Sequence, residues 1–228
     1  MALDPQKRQK KVERKKAKEK AKAQVHKRQS HVIAMRTSEL VSTAPILQCF
    51  SAGPLWDEGM GQVILSRELP GQRVAFSNFL LDTYCLGVKN AMFKNVTRGE
   101  YEEYVSRGLK ARFRTQKLSP ACARKLVEGG VEYARQLGFS PHPDYAKARL
   151  IFGQIDPTQC SQEFVYGRDG KPFFIAGPQD SPARSNNVIR TLHARFGADG
   201  YDFLVPSDDA IRIPSGIGDR VLEDEREG

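Results

Sequence analysis

Large apolar residues are sparse before Leu40 and then recur in short, dense runs separated by Gly and Pro. The first run, from Ala44-Pro45-Ile46-Leu47 to Phe50, opens the folded part of the chain. Pro54-Leu55-Trp56-Asp57-Glu58-Gly59 reads as a turn or short helix bounded by glycines. Within it, Trp56 either anchors the segment in the core, the preferred reading, or stacks on a base. Gly61 to Leu69, around Val63-Ile64-Leu65, predicts a strand, and Pro70-Gly71-Gln72 a tight turn. The run from Arg73 to Val88 is too long for one ordinary strand, which predicts a bulge or bend near Ser77-Asn78 or Asp82. A carboxylate inside an apolar run needs partners, and Arg67 or Arg73 on the neighbouring strand is expected to supply them to Asp82. Lys89 to Lys94 reads as the start of a helix or as a crossing loop.

From Thr97 onward the period changes towards 3.6. Thr97 with Glu100 fits a capping box for a helix reaching about Arg107. Ser119-Pro120 supplies an N-cap followed by Pro at the first helical position, for a helix to about Leu137. Gly129-Gly130 in its middle predicts a close crossing with another element. Pro143 opens a second, short helix ending at Gly153, and Asp156-Pro157 a single turn towards Cys160. Phe164 to Tyr166 and Phe173 to Ile175, joined through Gly167-Arg168-Asp169-Gly170-Lys171, predict a hairpin whose outer strand begins at Pro172. Ser181-Pro182 begins a last helix to Phe196 with Gly197 as its C-cap, and Tyr201 to Val205 adds a final strand or clamp. These elements predict an α+β fold, with small antiparallel sheet elements packed with about four helices.

Charge divides the chain sharply. Residues 1–36 hold thirteen Lys or Arg and three acids, a net of +10, while the other 192 residues hold 23 bases and 24 acids, a net of −1. Residues 1–36 are therefore expected to form a basic tail that contacts a polyanion. Residues 37–228 are expected to form one globular domain, of one lobe or two, with a frayed acidic C-terminus. The tail's bases proposed for phosphate contact are Lys7, Arg8, Lys10, Lys11, Arg14, Lys15, Lys16, Lys18, Lys20, Lys22, Lys27 and Arg28. Lys, Ala, Glu, Gln and Arg favour helix, but dense like charge repels itself, so the tail is expected to be flexible alone and helical when bound. In the body, Arg107, Lys110, Arg112, Arg114 and Lys117 form five bases without an acid over eleven residues. An extended backbone would place Lys110, Arg112 and Arg114 on one face, as a phosphate contact or as an ordinary solvated surface.

The four cysteines, Cys49, Cys85, Cys122 and Cys160, stand far apart without a CxxC pair, and are read as reduced thiols, mostly buried, in a cytosolic protein. The basic start is not followed by an apolar secretory core, and no run approaches the roughly 20 apolar residues of a membrane span. No cofactor signature is present: the glycine pair lacks the spacing and lysine of a phosphate-binding loop. A metal-dependent phosphodiesterase would need Asp82, His142, Asp144 and Asp156 to converge, although Asp144 and Asp156 also read as cap or first-turn acids.

Val63 to Lys94, including Leu80-Leu81-Asp82-Thr83-Tyr84-Cys85-Leu86-Gly87-Val88-Lys89, resembles an uncharacterised bacterial protein family with no assigned activity, as does Gly138-Phe139-Ser140-Pro141-His142-Pro143-Asp144-Tyr145, continuing to Gly153, Asp156-Pro157 and the Gly167 to Pro178 hairpin. The resemblance covers about half the chain and excludes the basic tail. It implies a bacterial cytoplasmic setting and an α+β body, and carries over no catalytic residue. The functional expectation is a non-catalytic accessory protein bound to RNA or a ribonucleoprotein, with DNA also possible. The alternatives are a metal-dependent nuclease tethered by its tail, and a protein-interaction module with a solubilising tail.

Overall fold

A computed structural model of the chain describes residues 39–178 and 180–206. The expectations for the tail's Lys7 to Arg28 and for the acidic C-terminus lie outside the described residues.

Four long strands form the centre: β1 (Ile46–Ala52), β2 (Met60–Leu69), β3 (Arg73–Asp82) and β4 (Gly87–Thr97). A short β5 (Thr115–Lys117) joins the edge, giving an antiparallel sheet of order β4-β3-β2-β1-β5. Both faces of the sheet are covered, which explains the continuous apolar runs of its central strands. Val63, Leu65, Phe79 and Leu81 point to one face; Ile64, Val74 and Phe76 point to the other. The turn predicted at Pro70-Gly71-Gln72 is present between β2 and β3.

The long run from Arg73 breaks at Asp82, one of the two places expected. Its Oδ1 accepts the backbone N–H groups of Tyr84 and Cys85, both at 2.9 Å, and this local bonding turns the chain into β4. The expected arginine partners are not used. Arg67 is buried and donates to the backbone carbonyls of Ala44, Ile151 and Phe152, whereas Arg73 bonds Asn95. Lys89 to Lys94 is part of β4 rather than a helix or crossing loop, because Leu80 pairs with Asn90, Asn78 with Met92 and Phe76 with Lys94.

One face is packed by α1 (Arg98–Glu103), which runs directly into a π-helical turn, Tyr104–Lys110. The Thr97–Glu100 capping box is formed, and Tyr101, Val105 and Leu109 fill the space over Phe76. The opposite face is packed by α2 (Pro120–Gln136) and by a short α3 (Tyr145–Ala148) continuing as a 3-10 turn, Arg149–Phe152. Ser119 caps α2 by accepting the Cys122 N–H. The glycine pair does permit a close crossing: a Cβ on Gly130 would meet Leu81 at 2.8 Å, and one on Gly87 would meet the Gly130 carbonyl.

The predicted hairpin is replaced by a different pairing. Phe164 to Tyr166 forms no strand, and only an Arg168–Lys171 bridge survives of the turn. Instead β6 (Phe173–Ile175) pairs in parallel with β7 (Asp202–Leu204), with α4 (Pro182–Phe196) as the crossover between them. The final strand is thus present, and its partner is the strand that local pattern had assigned to a hairpin. Cys85, Leu86, Leu137, Phe174, Ile189 and Tyr201 belong to a third core, under α4.

The cysteine expectation is half corrected. Cys49 and Cys85 are free and buried, but Cys122 and Cys160 are joined as a disulfide with their Cα atoms 4.9 Å apart. The bond fixes the first turn of α2 to the 3-10 turn Pro157–Gln159, a proximity that a sequence separation of 38 conceals.

Candidate nucleic-acid interface

The β1–β2 connection must turn between two strands that pair with each other. Leu55 is buried where the loop closes, and the Glu58 N–H donates to the Pro54 carbonyl at 2.8 Å. With Leu55 directed inward, its neighbour Trp56 is left 45% exposed, contrary to the expected core anchor. The indole stacks on Phe164, with centroids 5.8 Å apart and planes inclined by 17°.

The edge strand β5 is laid beside this loop by three pairs: Phe50 with Lys117, Ser51 with Gln116 and Ala52 with Thr115. The Gly53 N–H also donates to the Arg114 carbonyl at 3.1 Å. Arg112, Phe113, Arg114, Thr115 and Gln116 therefore line a groove together with Trp56, Gly53 and Pro54. The groove encloses about 480 Å³. Phe113, like Trp56, is exposed, and Asp57 is the acid among the groove's residues. A second hollow, of about 460 Å³, begins across Trp56 and Gln116 and includes Lys117, Leu118 and Phe164. Glu163 on its rim is held by Lys125 at 2.6 Å.

All five bases of the body cluster are exposed, but they do not share one extended face. Arg107 and Lys110 belong to the π-helical turn, where Arg107 pairs with Glu103 at 2.7 Å. Arg112 lies in the following turn, Arg114 immediately precedes β5, and Lys117 ends it. Thus Arg112 and Arg114 line the first groove and Lys117 the second, while Arg107 and Lys110 line neither. Sequence reasoning passed over Phe113, Gln116 and Phe164 as site residues. The available signal was the Leu55-Trp56 pair in a glycine-bounded turn, where one large side chain faces in and its neighbour faces out.

The hypothetical metal cluster is not assembled. Asp82 is fully buried at the end of β3; His142 lies in the loop before α3, its Nδ1 accepting the Asp144 N–H at 3.2 Å. Asp156 caps its own 3-10 turn through the Thr158 N–H at 2.9 Å and hydroxyl at 2.7 Å. Those Thr158 bonds hold the Asp156 carboxyl below its usual range. Asp144 precedes α3 without a side-chain capping bond. Among the described residues, no group of three or more His, Cys, Asp or Glu side chains is placed to hold a metal ion.

A further hollow, of about 590 Å³, includes Arg124, Arg135, His142 and Arg149. Its cations are partly committed: Arg124 donates to the carbonyls of Gly153 and Ile155 and pairs with Glu128, which also faces Arg149 at 3.7 Å. Among the described residues, no helix is long and apolar enough to cross a membrane. Comparison of the chain with protein-family models, with curated proteins and with solved structures returned no match.

Proposed function

We propose that this chain is a non-catalytic RNA-associated protein. Its Lys-rich N-terminal segment supplies a salt-sensitive hold on phosphate, and its body contributes Arg112, Arg114 and Lys117 beside exposed aromatics. The observation that carries this reading is the division of charge, +10 in residues 1–36 against −1 in the rest. A body close to neutral gains little from long-range attraction to a polyanion, so the N-terminal segment dominates the encounter. Lysines on such a segment contact phosphates without reading bases, and they adapt to the irregular backbone of RNA as readily as to a duplex. The scattered carboxylates and His142 give no support to the nuclease reading. The proposal includes a cytoplasmic setting, where such an RNA partner is met.

A salt titration of the full chain and of a protein beginning at Ser38 tests the proposal. With roughly six to ten phosphate contacts, the full chain loses about three to five orders of magnitude in affinity for structured RNA between 50 and 200 mM salt. The truncated protein should lose most of that slope and retain only weak binding. Equal slopes for the two proteins refute the tether, and stronger binding to duplex DNA at every salt refutes RNA as the partner.

A further inference from the structure

We propose that the groove between Trp56 and the Arg112–Gln116 segment is a subsite for an unstacked nucleobase of single-stranded RNA, with Arg112, Arg114 and Lys117 holding the adjoining phosphates. This inference rests on the RNA reading above and gives it a selectivity that an N-terminal charge tether lacks.

Three observations converge on the groove. Trp56 and Phe113 both border it and both keep a large share of their surface exposed, 45% and 38%. An exposed Trp alone is weak support, but two rings on one groove form a surface on which planar bases stack. The indole is also kept in place: Phe164 supports it by stacking, and the buried Leu55 beside it fixes the loop. A stacking ring held by the protein loses little side-chain freedom when a base arrives.

The rim has the charge that a nucleotide requires. Arg112 and Arg114 line the groove, and Lys117 lines the adjacent hollow on the far side of Gln116. Among the described residues, Arg112, Arg114 and Lys117 make no ion pair with a carboxylate, unlike Arg107 with Glu103. The Gln116 side chain offers a donor and an acceptor where the two hollows meet, suited to a base edge. Flat aromatic area flanked by unpaired cations suits a nucleotide chain better than an aliphatic or acidic protein segment. In duplex RNA the bases are stacked and unavailable to such rings, so the subsite discriminates single strands from duplexes.

Trp56 is the only tryptophan in the chain, so its fluorescence reports directly on the subsite. The test titrates the full chain at fixed salt with a labelled oligo(A) RNA of about twelve nucleotides and with an RNA duplex of equal length. Binding is read by anisotropy of the label and stacking by quenching of Trp56. Oligo(A) should bind and quench, while the duplex should bind through the basic segment without quenching. Trp56→Ala and Phe113→Ala should each lower oligo(A) affinity roughly five- to a hundredfold, leave duplex affinity unchanged, and Trp56→Phe should recover most of the loss. Because both residues are exposed, circular dichroism of each variant checks that the fold is retained. Oligo(A) binding with neither quenching nor sensitivity to these substitutions overturns the subsite and leaves the RNA reading standing. Absence of binding to either RNA overturns the RNA reading, and the subsite with it.

Discussion

Asp82 shows how a single side chain sets both a turn and a pH dependence. Burial pushes its carboxyl up to about 6, against the pull of Lys89 and of the backbone N–H groups of Cys85, Leu86 and Tyr84. Oδ1 is satisfied by two of those groups, whereas Oδ2 is buried without a protein partner. The folded protein therefore binds this proton more tightly than the unfolded chain does. Its contribution favours folding fully below about pH 4 and is lost as the pH rises through about 6, a difference of roughly 3 kcal/mol. Asp82→Asn keeps the acceptor for the turn and removes the titration. Urea unfolding at pH 4 and pH 7.5 should show the variant gaining on the native protein by up to about that amount at the higher pH. An identical pH dependence in both proteins would place the cost elsewhere. The sequence marked Asp82 as a bend and as a carboxylate in need of partners; only the partners were misread. Local hydrogen bonding two and three residues ahead competes well with a distant arginine, and Arg67 is already spent on three carbonyls.

At the scale of elements, the signals that proved legible were those written within a few residues. Ser119, Thr97, Ser181 and Asp156 all accept the capping bonds that their spacing implied. The 164–175 hairpin failed because β6 satisfies its edge with β7, about thirty residues later, and no local pattern encodes a parallel partner. The groove beside β5 was half legible: its bases were visible in the sequence, but their pairing with β1 and the outward face of Trp56 depend on the β1–β2 loop. The Cys122–Cys160 link was hidden in the same way. Closing a loop of separation 38 restricts the unfolded chain, which amounts to about 4 kcal/mol in the chain-entropy view. Reduction should therefore lower the stability of the native protein by up to that amount and leave Cys122→Ser unaffected. The fold should survive, because Lys125 still joins α2 to the Gln162 carbonyl and to Glu163. Equal melting of native protein with and without reductant would show that the bond is absent in solution.

At the scale of the molecule, the described residues form three cores, two on the faces of the large sheet and a third under α4. The third core meets the rest through Cys85, Leu86 and Leu137, and through a buried ion pair between Lys89 and Asp180 at 2.9 Å. Burial opposes the charge on Asp180, but the Gly177 N–H, Lys89 and Arg184 outweigh it and hold the carboxyl below its ordinary range. Cutting such a pair on one side strands the other charge in the interior. Composition located the charge asymmetry at once, because net charge is a sum over residues and needs no fold. The three-core arrangement was not legible, since it depends on which apolar faces meet.

The parallel β6–β7 pair has a consequence in time as well as in space. Its ladder spans three residues on each strand and is reached only after α4 has crossed over. The four long strands of the large sheet, by contrast, are joined in sequence order by near connections. The C-terminal unit can thus come apart and reclose while the sheet stays intact, as a separate cooperative step below global unfolding. Native-state hydrogen exchange should find the amides of Ile189 and Leu192 releasing at a lower free energy than those of Ile64 and Phe76. Asp180→Asn should widen that gap without altering exchange in the sheet. A common opening free energy across both sets would mean that the two regions melt as one. If they do not, the parallel pair and its crossover helix are shorter-lived than the sheet that precedes them in the chain.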